Sequence, residues 1–211
     1  MDTQNQLTDF EIERLPLVDA DLQLWRRVDL GRPYDSLLQA IIEDTAWRQE
    51  EITVYGKPYL QPRLSAWYGD LAYSYSGIRL EPLPWTSTLL DIKLRVEALV
   101  KHQFNSVLLN YYRDQHDSMG MHSDDERELG PQPAIASLSL GEERTFLLRH
   151  KSRKDLKTVR LALSSGSLLL MQGQTQQYWR HGINKERQVC APRINLTFRT
   201  IRSPDLTEQT R

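Results

Sequence analysis

From Ser106 onward the chain alternates short apolar-rich runs with Gly, Pro, Asn and Asp. Side chains two apart lie on one face of a strand, so this period predicts strands over residues 106–112, 134–140, 144–150, 158–163, 167–171 and 193–201. Many short strands joined by Gly/Pro turns imply a sandwich or jelly roll. Two earlier stretches follow a helical period instead. The first starts at Asp35, with Asp35 or Ser36 as its cap and Leu37, Leu38, Ile41, Ile42 and Ala46 as its apolar stripe. The second is introduced by Pro84-Trp85-Thr86-Ser87 and lays Leu89, Ile92, Val96, Leu99 and Val100 along one side. Both read as core packing that buttresses the outer face of the sheets. Between them, ITVYGKPYLQPR over residues 52–63 sets β-branched and aromatic residues around Gly56 and Pro58, which suits a strand entering a tight turn. Residues 1–33 are polar and acidic without a steady period and read as an irregular extension. The expected fold class is α+β, mainly β: a jelly roll over 34–202 buttressed by helices, with the extension before it and a 203–211 tail after it.

With 211 residues, 39% hydrophobic and 26% charged, the chain can bury one sizeable core and has the make-up of an ordinary globular domain. No apolar run nears the length of a membrane span, and the polar, acidic start lacks the basic-then-apolar design of a secretory signal. An intracellular protein with no membrane partner and no obligate protein partner is therefore expected. Its one cysteine, Cys190, cannot form an internal disulfide, which agrees with a reducing compartment. The formal net charge of −1 conceals a split. Residues 1–51 hold five Lys/Arg against twelve Asp/Glu and the rest hold 22 against 16, so a net of −7 is offset by +6. The larger part is basic. Within it, Arg149, Lys151, Arg153, Lys154, Lys157 and Arg160 crowd around a single acid, Asp155. Such a cluster is either a solvated hairpin tip or a contact for nucleic-acid phosphates.

The chemistry concentrates in NYYRDQHDSMGMHSDDE, residues 110–126, and in RINLTFR, residues 193–199. His122 and Asp124 are two apart, so in extended backbone their side chains point the same way, as two ligands of one metal must. Alone, such a pair is an ordinary loop sequence. With His181 as the candidate third ligand it becomes the two-His, one-carboxylate set of non-heme Fe(II) oxygenases, which leaves coordination positions open. In residues 193–199 polar and apolar positions alternate strictly. Arg193, Asn195, Thr197 and Arg199 share one face, and Ile194, Leu196 and Phe198 take the other. A solvated face mixes charge signs, whereas this one is purely cationic and amide. Arg grips a carboxylate through two parallel hydrogen bonds, so two of them on one strand suit a ligand with two carboxylates. Asn110 and Tyr112 share a face in the same way. Tyr73 and Tyr75 also sit two apart, either as simple packing or as the wall of a pocket for a planar substrate.

Together, N-x-Y, H-x-D, a distant His and R-x-N-x-T-x-R resemble the AlkB family of Fe(II)- and 2-oxoglutarate-dependent dioxygenases. YSYSG at 73–77, HSDDERELG, IASLSLGEERTFLLRHK, GSLLLM and APRINLTFR extend the resemblance over roughly residues 52–201, and they are similar to the homologues that repair double-stranded DNA. The resemblance implies a double-stranded β-helix, with a nucleotide-recognition segment over 52–80 and the catalytic jelly roll over 104–202. It implies Fe(II) on His122, Asp124 and His181, 2-oxoglutarate held by Arg193 with Asn110, Tyr112, Asn195 and Arg199, and O2 as co-substrate. It places Tyr73, Tyr75, Asp125 and Glu126 at the damaged base and Tyr55, flanked by Val54 and Gly56, as a wedge in the base stack. The implied reaction is oxidative demethylation of 1-methyladenine and 3-methylcytosine in DNA, duplex as well as single-stranded, releasing formaldehyde, succinate and CO2. The competing readings are a sister dioxygenase acting on RNA or protein and a nucleic-acid-binding module without turnover.

Overall fold

Leu168 to Met171 is an unbroken apolar run, which is what a strand needs when both of its faces are covered. The computed structural model describes residues 12–54, 57–71, 73–75 and 78–202, and it places this run in the middle of three layers. In chain order, β1 (Ile12–Leu15) and β2 (Asp21–Trp25) form a hairpin ahead of helix α1 (Tyr34–Asp44). β3 (Glu51–Val54) and β4 (Lys57–Leu60) make a second hairpin, β5 (Leu64–Gly69) follows, and β6 (Tyr73–Tyr75) pairs with β7 (Ile78–Leu80). Helix α2 (Ser87–Val100) leads into β8 (Ser106–Tyr112), β9 (Met119–His122), β10 (Ile135–Gly141), β11 (Arg144–His150) and β12 (Val159–Leu163). β13 (Leu168–Gln172), the single turn α3 (Thr175–Tyr178), β14 (Trp179–Ile183) and β15 (Arg193–Arg199) complete the chain.

Seven strands form the major sheet in the order β1-β2-β13-β10-β15-β8-β5, and four form the minor sheet, β12-β11-β14-β9. This mainly β, two-sheet arrangement agrees with the expected jelly roll. Both helices lie on the outer face of the major sheet, where Leu37, Ile41, Ile92 and Val96 cluster with Leu168, Leu170, Ile194, Leu196 and Phe198. On the inner side Leu169 and Met171 cluster with Phe146, Leu148, Leu163 and Ile183 of the minor sheet. The alternation in β15 therefore sends its apolar residues toward the helices and its polar residues into the gap between the sheets. All seven residues of that strand are buried, so its polar face is an interior lining rather than a solvated surface.

Residues 12–25 depart from the expected irregular extension. β2 pairs with β13 from Trp25 opposite Leu168 to Asp21 opposite Gln172, and Leu22 and Leu24 are buried between the sheets. The period-two signal is present in Asp21-Leu22-Gln23-Leu24, but acidic neighbours outweigh it in a composition-based reading. Helix α1 also begins earlier than expected. Pro33 takes the cap position without a side-chain cap bond, and Asp35 sits in the first turn, where a carboxylate suits the positive end of the helix. Strands β5, β9 and β14 escape the hydrophobic pattern as well. β9 and β14 are short and contain glycine, yet they carry His122 and His181. Among the described residues no helix is long and apolar enough to cross a membrane.

Candidate active site

β9 and β14 pair so that His122 lies opposite His181, with the two rings edge to face at 4.3 Å between centroids. The strands approach this closely because residue 182 is glycine. A Cβ there would stand 2.8 Å from Met119 O and 3.0 Å from Gly120 O. Asp124 enters the same space two residues beyond the end of β9, and one ligand atom from each of His122, Asp124 and His181 lies within 4.8 Å of the others. Each ligand is oriented from behind. Nδ1 of His122 donates to Gly120 O at 2.9 Å, which leaves the Nε2 lone pair facing inward. The ring of Phe146 stacks on His181 at 5.3 Å. Arg199 Nη2 donates to Asp124 Oδ1 at 2.6 Å, while Asp124 Oδ2, 3.5 Å from His181 Nε2, is buried and has no hydrogen-bond partner. Two neutral imidazoles and one ionised carboxylate with an unused oxygen are a donor set that fits a divalent metal.

The electrostatics keep the three ligands in their metal-binding protonation states. Burial pushes the Asp124 pKa up, but Arg199 and then the two imidazoles outweigh it and hold it at about 2. Burial, followed by His122, lowers His181 to about 3, and burial lowers His122 too. These shifts share one sign. The unfolded chain protonates His181 near its ordinary value of about 6.5, whereas the folded protein keeps it neutral down to about pH 3. Between those values the unfolded chain binds more protons, so the metal-free protein loses stability as pH falls from about 6.5 toward 3. Asp124 adds a loss of the same sign below about pH 4. Denaturation midpoints of chelator-treated protein should therefore decline with acidification, and His181→Ala should flatten the decline. An unchanged slope in that variant would place the proton uptake on other groups.

The polar face of β15 continues the pocket away from the triad. β15 and β8 are in register with Arg193 opposite Tyr112 and Asn195 opposite Asn110, so the four side chains named from the sequence line one cavity with the triad. Arg193 Nη2 bonds Ser139 Oγ at 3.0 Å and its guanidinium lies 5.1 Å from the centre of the Tyr112 ring. Its Nε and Nη1 are buried and have no hydrogen-bond partner, as befits a cation placed to receive a carboxylate. Asn195 Nδ2 donates to Ser137 Oγ and Leu138 O, so this residue braces the wall. Arg199 is turned to Asp124. Ser137 and Ser139 escaped the sequence reading, although they alternate with Leu138 and Leu140 and period two marks them. Arg63, which donates to Asn110 Oδ1 at 2.7 Å, and Arg144, which holds the main-chain carbonyls of Asp114, Asp117 and Asn184, carry no such signal.

Of the residues expected at the substrate, Asp125 and Glu126 follow Asp124 in the chain without lining the cavity of the triad. Tyr73 and Tyr75 occupy one strand, paired in register with Leu80 and Ile78. Tyr55 and Gly56 lie outside the described residues, between Val54 and Lys57, which pair across the second hairpin. Asp125 is exposed and its carboxylate binds Lys151 Nζ at 2.9 Å, and half-buried Glu126 precedes a 3-10 turn, Arg127–Leu129. In the basic hairpin, Lys151 is thus paired with Asp125 and Arg153 with Asp155. Arg149, Lys154, Lys157 and Arg160 are exposed and make no ion pair among the described residues.

A jelly roll holding two imidazoles and a carboxylate on one side of a buried pocket defines the facial-triad class of non-heme iron site. The chain belongs to the 2OG-Fe(II) oxygenase superfamily, whose model matches residues 33–199, and to its AlkB group. It is 44% identical over 182 residues to mouse alpha-ketoglutarate-dependent dioxygenase alkB homolog 3, covering 82% of this chain and 63% of that protein. It is also 44% identical over 159 residues to mouse DNA oxidative demethylase ALKBH2, covering 72% of this chain and 66% of that protein. The chain thus spans less than two thirds of the length of these relatives. The solved structure of OsALKBH1 superposes with a TM-score of 0.63 over 90% of this chain and 100% of that one, at 16% identity, a likeness of fold.

Proposed function

We propose that this protein is an intracellular Fe(II)- and 2-oxoglutarate-dependent dioxygenase that oxidatively demethylates alkylated bases in DNA. The observation that carries the reading is one continuous cavity with the metal triad at one end and an incompletely bonded, buried arginine, Arg193, at the other. That spacing of functions suits a small dicarboxylate that reaches a metal with its first carboxylate and an arginine with its second. The 44% identity to alkB homolog 3 supports the dioxygenase reading, and the 44% identity to DNA oxidative demethylase ALKBH2 supports the choice of DNA as substrate. When bound, the metal with 2-oxoglutarate and O2 supplies hydroxylation of the N-methyl carbon, coupled to decarboxylation to succinate and CO2, after which the base releases formaldehyde. The protein's own part is orientation. His122, Asp124 and His181 hold the metal, and Arg193, Asn110, Tyr112 and Asn195 hold the co-substrate.

The lesions we assign, 1-methyladenine and 3-methylcytosine, are cationic, and Asp125 and Glu126, which follow Asp124 in the chain, are the acids proposed to favour a cation over a neutral base. A base bound by them competes with Lys151 for Asp125. Tyr73 and Tyr75 are the proposed pocket wall, and the exposed cations of the β11–β12 hairpin the proposed phosphate contacts. Anaerobic reconstitution with Fe(II), followed by assay on methylated duplex DNA, single-stranded DNA and RNA, tests the whole reading. Formaldehyde and succinate should appear in step with lesion loss on DNA. Turnover confined to RNA, or no succinate with any of them, would overturn it.

Duplex activity is attributed to Tyr55. A base must leave the stack before it reaches the pocket, at a cost of a few kcal/mol, and an aromatic side chain filling the gap offsets part of this. Tyr55→Ala should lower kcat/KM on methylated duplex by roughly tenfold, or about 1.4 kcal/mol, and change the single-strand value much less. Parallel losses on both substrates would instead mark Tyr55 as a packing residue.

A further inference from the structure

The metal-binding carboxylate needs more support than Arg199 provides. β9 ends at His122, so the main-chain N–H of Asp124 lies beyond the sheet ladder, and the residue is fully buried. Leaving such a donor unmade costs about 1–3 kcal/mol. Its acceptor is the side-chain Oε1 of Gln176, at 2.9 Å. Gln176 is 1% exposed, and the turn that carries it is pinned at Thr175, whose Oγ1 donates to Gln172 O at 2.6 Å and accepts from Asp21 N at 2.9 Å. The amide has one sensible orientation. Reversed, its NH2 would face the Asp124 N–H, donor against donor, whereas as found it reaches Met171 Sδ at 3.6 Å. The main-chain carbonyl of Gln176 also accepts from Lys151 Nζ at 2.8 Å, and that ammonium binds Asp125. The Gln176 turn therefore grips the Asp124–Asp125 segment at two points.

We propose that Gln176 is a positioning residue for the metal. By accepting the Asp124 N–H it fixes the backbone from which Oδ2 is aimed, while Arg199 holds Oδ1. The two supports differ in kind. Arg199 brings a positive charge and so changes the donor strength of the carboxylate, whereas Gln176 is neutral and sets direction. The inference rests on the reading of His122, Asp124 and His181 as metal ligands.

The test is anaerobic titration of the metal-free protein with Co(II), followed by its ligand-field absorption, which reads affinity and geometry without turnover. Gln176→Met keeps the bulk of the side chain and removes the acceptor. It should raise the Co(II) Kd by about 10–100-fold and shift the spectrum, the usual consequence of removing a residue that orients a ligand. Val96→Ala, a truncation in the helix layer, serves as a destabilised control and should bind Co(II) as the unaltered protein does. His181→Ala should bind it far more weakly than either. If Gln176→Met does not fold, Gln176→Asn, which withdraws the amide by one methylene, should show the same change in smaller degree. Wild-type Co(II) binding by the Gln176 variants, or equal weakening in Val96→Ala, would overturn the proposal. Wild-type binding by His181→Ala would overturn the metal assignment beneath it.

Discussion

Replacing His181 by alanine should abolish turnover and leave the fold standing. With three protein ligands, losing one leaves a divalent ion held by a single imidazole and a carboxylate, so we expect the rate at limiting Fe(II) to fall at least about a thousandfold, roughly 4 kcal/mol of lost transition-state stabilisation. His122→Ala should behave alike. Both remove an uncharged ring and strand no charge, because burial holds both imidazoles neutral. Asp124→Ala is a different experiment. It leaves Arg199, 1% exposed, without the carboxylate that bonds it at 2.6 Å, and breaking a buried pair from one side costs about 3–5 kcal/mol. An inactive Asp124→Ala protein thus confounds lost chemistry with lost stability, and a lowered melting temperature should accompany it. Succinate release and melting temperature measured on all three variants separate the effects. Wild-type turnover in either histidine variant would remove the triad assignment.

How far the site was legible in the sequence depends on how local its geometry is. The polar faces of β8 and β15 follow from period two alone, whereas the register that brings Asn110, Tyr112, Arg193 and Asn195 to one cavity is seen only in the structure. The His122 and Asp124 pair is local as well, although Asp124 stands beyond the strand and is aimed by Gln176 and Arg199 rather than by the pleat. His181 could be offered from the sequence as a candidate third ligand, but no spacing rule singles it out, because its partnership depends on the pairing of β14 with β9 and on the room left by Gly182. Arg63, Arg144 and Gln176 were not legible at all. The bonds that tie them to the site reach Asn110, Asp124 and the carbonyls of Asp114, Asp117 and Asn184, 27 to 52 residues away, and no spacing rule connects a side chain to a distant carbonyl or amide. The N-terminal hairpin was misread for a related reason. Its apolar alternation is two leucines long and becomes decisive only when β13 supplies the other edge.

Arg193→Lys should raise the 2-oxoglutarate requirement by about 10–100-fold while leaving metal affinity near its original value. Arg193 is 1% exposed, and burial pushes its pKa down from 12.5 to about 10, so the protein bears a desolvated cation that a bound carboxylate would relieve. Nη2 donates to Ser139, and Nε and Nη1 have no hydrogen-bond partner. Nη2 has a second N–H beside the one given to Ser139, and it runs parallel to an N–H of Nε or of Nη1, so a carboxylate can take a two-bond fork on either edge, whereas a lysine ammonium is a single point of charge on a flexible stem. Losing one charge-assisted bond of about 1.5–3 kcal/mol corresponds to the stated loss of affinity. Arg144 cannot replace it. Its guanidinium lies 5.7 Å from the same Tyr112 ring, but its Nη atoms are engaged by the carbonyls of Asp114, Asp117 and Asn184, so it adds positive field and no fork. Arg199 is likewise held by Asp124. Two readings check the prediction: the apparent KM for 2-oxoglutarate, and the rise in melting temperature that added succinate produces through mass action. Both should weaken together in Arg193→Lys. Because the other three buried arginines are already committed, Arg63 to Asn110 and Arg144 and Arg199 as above, equal 2-oxoglutarate dependence in variant and original would mean that this end of the cavity does not receive the second carboxylate.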